Sequence, residues 1–331
     1  MGCMGEFDME KNTQSHFFHG LFKVLNEAGF NYVVLHSWQT LPEKATSDVD
    51  MLTSADEKKR LPLLLKKVEE ATGWRFVQKL WYDVPWCFYY VAVSPNGNVA
   101  AALDFVSDPK GVGEYRIKDS QILSHREFSG LLYHLSTEAE LAYKLAKRRV
   151  KGIFREEDVD FVNEYFRRSS FAVLRERMLE LLPERVSEEL LAIIGDGCKI
   201  NEMRDYMLKY SPAFVLFGRR WRIKLGLSWF VNTIHRIVFR MANPTGAIVY
   251  LKDGDVAERL QMPRFVFRRE KTISASALSW KIKFAALSSA TLLKVVGAER
   301  EGFDVGYGFV AESSNGLVEA VFTAMKGRIR L

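Results

Sequence analysis

Two aspartates one residue apart, in Ser47-Asp-Val-Asp-Met-Leu52, constrain this chain more than any other feature. The apolar residues between and after them read as a strand over residues 48–52. On a strand, residues i and i+2 share a face, so Asp48 and Asp50 project together while Val49 and Met51 turn to a core. Adjacent carboxylates repel unless protons or cations lie between them. Hard oxygen ligands of this kind suit Mg²⁺, which also tends to hold substrate phosphates. A third carboxylate, Asp104, stands in the otherwise apolar run Ala101-Ala-Leu-Asp-Phe-Val106. A charge in such a run is costly to bury unpaired, so Asp104 lies at an edge or joins a charged site. Taken alone, an Asp-x-Asp also fits a solvated strand start.

The surrounding pattern is α/β. Phe17, Leu21 and Leu25 recur at helical spacing within residues 14–28, and Gly29 stops the helix. Residues 31–35 read as a short buried strand. Ser54-x-x-Glu57 is a capping box that opens a helix running to Gly73. Strands are expected at 75–80, 87–93 and 99–106, the last two joined at Pro95-Asn-Gly-Asn98, a strong hairpin signal. A largely helical stretch follows. Thr137-x-x-Glu140 reads as a second capping box, for a helix to about Lys151, and further helices are expected at 155–167 and 173–182 with Pro183 as a break. Beyond Pro244-Thr-Gly246 the expected elements are a strand at 247–251, a helix at 277–296, a strand at 303–311 and a helix at 316–325. The fold class is α/β (α+β): a mixed sheet with flanking helices, then a helical region, then a small C-terminal α/β segment. The corresponding divisions are residues 1–130, 131–245 and 246–331.

Charge is informative through its distribution. The chain carries 47 basic and 41 acidic residues, but from Tyr206 to Lys252 there are eight Lys and Arg and no acid. That block suits an anionic partner. Within residues 217–240, Arg219, Arg220, Arg222, Lys224, Arg236 and Arg240 alternate with Trp221, Trp229, Phe230 and Phe239. This reads first as a packed helix with arginine stems over apolar surface, and second as a peripheral membrane contact; nucleic acid is not the expected partner. Cys3, Cys87 and Cys198 are isolated, which excludes a zinc cluster or disulfide framework and fits a reducing compartment. No apolar run reaches the ~18 residues of a spanning helix, and the polar N-terminus is unlike a signal peptide. The expected location is cytoplasmic, with membrane association through 217–240.

The order helix, strand, Ser37, loop, Asp48-Val-Asp50, helix, hairpin, Asp104 resembles the nucleotidyltransferase superfamily, the DNA polymerase beta-like fold. More narrowly, Tyr32-Val-Val-Leu-His-Ser-Trp-Gln-Thr-Leu-Pro-Glu43 with Ser47-Asp-Val-Asp-Met-Leu52 looks like a bacterial nucleotidyltransferase family found with polysaccharide-biosynthesis genes and often fused to a thymidylate-kinase-like domain. The similarity continues through Leu103-Asp-Phe105, Glu138-Ala-Glu140 and residues 144–155, and reaches Asn243-Pro-Thr-Gly246. It implies a Mg²⁺-dependent enzyme in which Asp48, Asp50 and Asp104 are the metal ligands and catalytic carboxylates. A nucleoside monophosphate would pass from a nucleoside triphosphate to a hydroxyl or phosphate of a small-molecule or sugar acceptor, in surface-polysaccharide biosynthesis. Ser37, His36, Lys144 and Lys147 are the nucleotide-binding candidates. The superfamily has Gly-Gly or Gly-Ser where this chain has His36-Ser37. Glycine there lets the backbone approach a triphosphate, so His36 favours the alternative of a catalytically inactive binding or regulatory protein on the same fold.

Lys144, Lys147 and Lys151 share a helical face, either as a phosphate-facing stripe or, slightly preferred, as a solvated face. His16 and His19 read as surface residues, and His125 and His134 have no recognisable partner. Trp81, Tyr82 and Trp86 suit packing better than a base-stacking wall. In the resembled family the strand after Pro-Thr-Gly leads into a phosphate-binding Gly-Lys-Ser/Thr loop. Here residues 247–251 run into Lys252-Asp-Gly-Asp-Val-Ala-Glu-Arg259, with one glycine and three acids. About eighty residues remain after Gly246, short for a kinase domain. A degenerate kinase-like remnant without kinase activity is expected, acting as a cover or a partner-binding surface.

Overall fold

The computed structural model describes residues 12–81, 87–108, 117–209, 239, 247–252, 269–278, 291–299, 302–304, 309–311 and 317–326. The basic segment 217–240, apart from Phe239, lies outside them, as do Tyr82 and Trp86.

Helix α1, Gln14–Glu27, starts where the Thr13 hydroxyl accepts from the His16 N–H, and it buries Phe17, Phe18, Leu21, Phe22 and Leu25. Strand β1, Tyr32–Val34, and strand β2, Val49–Thr53, pair antiparallel. Helix α2, Ala55–Thr72, is capped by Ser54, whose hydroxyl accepts from the Glu57 N–H, and stops at Gly73 in the left-handed conformation. Strands β3, Arg75–Trp81, β4, Phe88–Val93, and β5, Ala100–Val106, form a meander. After the short helix α3, Asp119–Leu123, come β6, Arg126–Phe128, and β7, Tyr133–Leu135. Together the strands make one mixed sheet in the order β3-β4-β5-β2-β1-β7-β6, with β2 parallel to β5 and β1 parallel to β7.

The two faces of this sheet are covered differently. On one face, Val49, Met51, Leu103 and Phe105 pack beneath α1 and α2, among Phe17, Phe22, Leu61 and Trp74. On the other, Val33, Leu35 and Leu52 pack against a helical layer. That layer consists of α4, Thr137–Lys151; α5, Glu156–Arg168; α6, Phe171–Leu181; α7, Glu184–Gly195; and α8, Ile200–Lys209. Further along the same face, Val77, Tyr89, Val91, Ala100 and Ala102 pack against the C-terminal segment. The second face of the sheet is thus covered at both ends by different parts of the chain.

The C-terminal segment is a parallel-centred sheet, in the order β12-β11-β8-β10-β9. Its strands are β8, Ala247–Leu251; β9, Arg269–Ser274; β10, Thr291–Val296; β11, Gly302–Asp304; and β12, Phe309–Ala311. Helix α9, Leu317–Lys326, packs on β3.

Three local expectations change. Of the helix expected at 277–296, residues 279–290 lie outside the described residues, and Thr291–Val296 is instead strand β10. Leu292, Leu293 and Val295 are buried between β8 and β9, and a central parallel strand shows no alternation to mark it. The strand expected at 303–311 is two short strands paired antiparallel, Phe303 opposite Val310, so the chain reverses between them. Pro183 does break the helical run as expected: α6 ends at Leu181 and α7 begins at Glu184, with Pro183 at its N-cap. Finally, the cap of α4 is Ser136, whose hydroxyl accepts from the Ala139 N–H. Glu140 lies one residue beyond the capping-box position and is free to reach inward.

Candidate active site

Asp50 and Asp104 are directly paired across parallel strands β2 and β5, and Tyr89 is paired with Asp104 across β4 and β5. The row Tyr89–Asp104–Asp50 therefore crosses three strands on the face left between the helical layer and the C-terminal segment. Asp48, just ahead of β2, projects to the same side. One oxygen from each of Asp48, Asp50 and Asp104 lies within 4.8 Å of the other two. Two ionised carboxylates at that separation repel by about 3 kcal/mol at an effective dielectric constant of ~20, so protons, cations or positive side chains must offset them.

The chain supplies some of that offset. Asp50 Oδ2 meets His36 Nε2 at 2.7 Å and Lys147 Nζ at 3.2 Å. Burial alone would raise the Asp50 carboxyl, but His36 and Lys147 outweigh it and hold it well below the usual carboxylate range. Among the described residues, no cation forms an ion pair with Asp104. It is pushed up to about 7 by burial and by the charges of Asp50 and Asp48. Its Oδ1 accepts from the Cys87 thiol at 2.7 Å. Burial and the Asp50 charge also raise Asp48. Three hard oxygen donors carrying this excess of negative charge fit a divalent cation such as Mg²⁺.

Ser37 follows β1 and adopts the left-handed conformation, φ +58°, rare for a residue with a side chain. Its hydroxyl is 3.3 Å from His36 Nδ1. Beside it opens a pocket of about 520 Å³, lined by His36, Ser37, Asp50, α4 and α5.

Of the nucleotide-binding candidates, the structure brings His36, Ser37 and Lys147 to the carboxylates. Lys144 lines the same pocket but pairs with buried Asp158 at 3.2 Å, and its ammonium lies 4.1 Å from the centre of the Phe161 ring. Lys144 and Lys147 are less than one-quarter exposed, so the solvated-face reading of the lysine stripe does not hold for them. His134 is not partnerless, for its ring stacks on Trp38 with centroids 3.7 Å apart.

Two site residues were not legible as such. Cys87 looked isolated, yet counting back from the Asn-Gly turn pairs Tyr89 with Asp104 and puts Cys87 on the same face two residues away; the hairpin register was the available signal. In the sequence, Glu140 reads as part of a capping box. It is 1% exposed, and its Oε2 accepts from Trp38 Nε1 at 3.2 Å and from the Tyr165 hydroxyl at 3.1 Å. Burial raises its carboxyl above the usual range. Its Oε1 is buried with no hydrogen-bond partner among the described residues, a condition that costs about 1–3 kcal/mol.

An α/β chain with a carboxylate trio between two coverings of one sheet face is the class this fold and site define. No protein-family model and no curated protein matches the chain. Among solved structures it is similar to JHP933 from Helicobacter pylori, at 11% identity, over 70% of this chain and 99% of that one, with a TM-score of 0.25. A likeness that slight carries no argument about fold or activity.

Proposed function

We propose that the protein is a Mg²⁺-dependent nucleotidyltransferase-like enzyme. The observation that supports this best is the convergence of Asp48, Asp50 and Asp104 within 4.8 Å, beside the left-handed turn at Ser37. Asp48, Asp50 and Asp104 would hold the cation, which when bound neutralises phosphate charge and steadies the leaving pyrophosphate. Ser37 presents its backbone and hydroxyl to the phosphates, and Lys147 lends positive charge at Asp50. Asp104 orients an acceptor hydroxyl or takes its proton. The hydroxyl oxygen then bonds to the α-phosphorus, the bond from that phosphorus to the bridging oxygen breaks, and pyrophosphate leaves with the electron pair. In keeping with the family resemblance, the acceptor is a sugar or small-molecule hydroxyl or phosphate, and the setting is surface-polysaccharide synthesis in the cytoplasm. Peripheral binding to anionic membrane through 217–240 belongs to the same reading; recovery with anionic liposomes at low ionic strength tests it.

The decisive measurement is Mg²⁺-dependent binding of nucleoside triphosphates by the full chain. Asp48→Ala and Asp50→Ala should each abolish it while the thermal melt stays cooperative. Unchanged nucleotide affinity in both variants rules the reading out.

One observation favours a second reading, a non-catalytic protein on this fold. Asp50 Oδ2 is already engaged by His36 and Lys147, so the chain itself supplies positive charge where a cation would sit. Nucleotide binding that is indifferent to Mg²⁺ and yields no pyrophosphate with any acceptor would support it.

A further inference from the structure

The pocket beside Asp50 is built along one face of α4. Glu140, Lys144, Lys147 and Lys151 follow one another at helical spacing and all line it. At 1.5 Å per residue, Lys144 stands about 6 Å and Lys147 about 10 Å along the axis from Glu140. Lys144 and Arg148 share one buried carboxylate, Asp158, at 3.2 and 2.7 Å. Two cations to one anion leave this wall with a positive excess, whereas Arg168 on α5 is paired at 3.2 Å with Glu164, which lines the pocket too. At the other end, Glu140 lines the pocket, and its buried Oε1 has no hydrogen-bond partner among the described residues. Phe161 and Tyr165, stacked with centroids 4.0 Å apart, form an apolar wall between. A volume of about 520 Å³ lies in the usual range for small-ligand sites.

We propose that this pocket binds a phosphorylated sugar, with a ring hydroxyl donating to Glu140 Oε1 and the phosphate lying toward Lys144, Lys147, Lys151 and Arg168. The spacing fits a molecule with a hydroxyl and a phosphate roughly 6–10 Å apart along the helix. This deepens the nucleotidyltransferase reading and rests on it for the source of the sugar. That source is either the ribose and phosphates of the nucleotide itself or a sugar-phosphate acceptor.

The test is calorimetric titration of the full chain, free of divalent cation, with ribose 5-phosphate, glucose 1-phosphate, glucose and inorganic phosphate. At least one sugar phosphate should bind ten times more tightly than either glucose or phosphate. Glu140→Gln should weaken it about tenfold and leave phosphate unchanged, whereas Lys151→Ala and Arg168→Ala should weaken both. Equal affinity for sugar phosphate and inorganic phosphate in the wild type overturns the proposal, and that ranking decides the matter even if the Glu140 variant fails to fold. A folded Glu140→Gln that loses no sugar-phosphate affinity, as expected if a water satisfies Oε1, also overturns it. Competition with ATP marks the nucleotide's ribose as the source; simultaneous binding of ATP and glucose 1-phosphate marks the acceptor. Sugar-phosphate binding that persists while Mg²⁺ binding is absent sinks the enzyme reading alone. Mg²⁺-dependent nucleotide binding indifferent to Glu140, Lys151 and Arg168 sinks this proposal alone.

Discussion

Lys147 Nζ sits 3.2 Å from Asp50 Oδ2, the oxygen that His36 Nε2 meets at 2.7 Å. A divalent cation on Asp50 either shares that oxygen with the ammonium or takes Oδ1, and in both cases meets the repulsion of the lysine. Lys147→Met should therefore tighten Mn²⁺ binding to the nucleotide-free protein about tenfold, an electrostatic gain of roughly 1.4 kcal/mol, while weakening nucleotide binding. Electron paramagnetic resonance of free Mn²⁺ during titration measures the first effect. Unchanged Mn²⁺ affinity would mean that lysine and metal do not compete.

Asp158 is fully buried, accepting from Arg148 Nη2 at 2.7 Å, from the Arg155 N–H at 2.9 Å and pairing with Lys144 at 3.2 Å. Burial alone would raise its carboxyl, but the Arg155 N–H, Arg148 and Lys144 outweigh that and hold it below the usual range. Its folded pKa lies below the unfolded one, so the ion-pair stability is present above about pH 4 and lost as pH falls through the folded value. Asp158→Asn should cost about 3 kcal/mol at pH 7. In urea unfolding, the gap between wild type and variant should narrow below about pH 4; a gap that is constant with pH would remove the charge argument.

Helix α1 crosses α2 at Gly20. A Cβ built there would lie 2.2 Å from Thr72 Cγ2. Gly20→Ala should destabilise by about 1–3 kcal/mol through overpacking, despite alanine's better helix propensity. Thr72→Ser deletes the offending methyl but keeps the hydroxyl bonded to the Val68 carbonyl. The double variant should recover most of the loss in a thermal melt. If Gly20→Ala alone is neutral, the two helices have room to spread.

Cys87 and Cys198 are 3% and 1% exposed. Burial, then Asp158, pushes the Cys198 thiol up to about 11; burial, then Asp104, pushes Cys87 higher still. At pH 8 a thiol with a pKa near 11 is about one part in a thousand thiolate, the reactive form. Maleimide should spare both cysteines in the native protein and label them after denaturation. Fast native labelling of Cys87 would mean that the Asp104 wall opens to solvent.

The alternation at 48–52, the Asn-Gly turn and the caps at Ser54 and Gly73 were legible because each is set by residues close in sequence. A strand's two-residue period puts Asp48 and Asp50 on one side whatever else the chain does, and the turn register puts Asp104 opposite Tyr89. Strand β10 carries no such local mark, because a strand buried on both faces shows no alternation. The missed cap at Ser136 differed from the expected one by a single residue, within the spread of local signals.

The sequence alone thus determined the pattern of the main elements and the pairing of Asp48 with Asp50, since local periodicity fixes which side chains share a face, while Asp104 joined them only as the family resemblance implied. Only the tertiary structure decided what surrounds them. The parallel pairing of β2 with β5, the approach of Lys147 from α4 to Asp50 and the bond from Trp38 Nε1 to Glu140 Oε2 join residues 54, 97 and 102 positions apart. Contacts of that kind follow from how the helical layer and the C-terminal sheet divide one face of the first sheet, and no local rule of spacing carries that division.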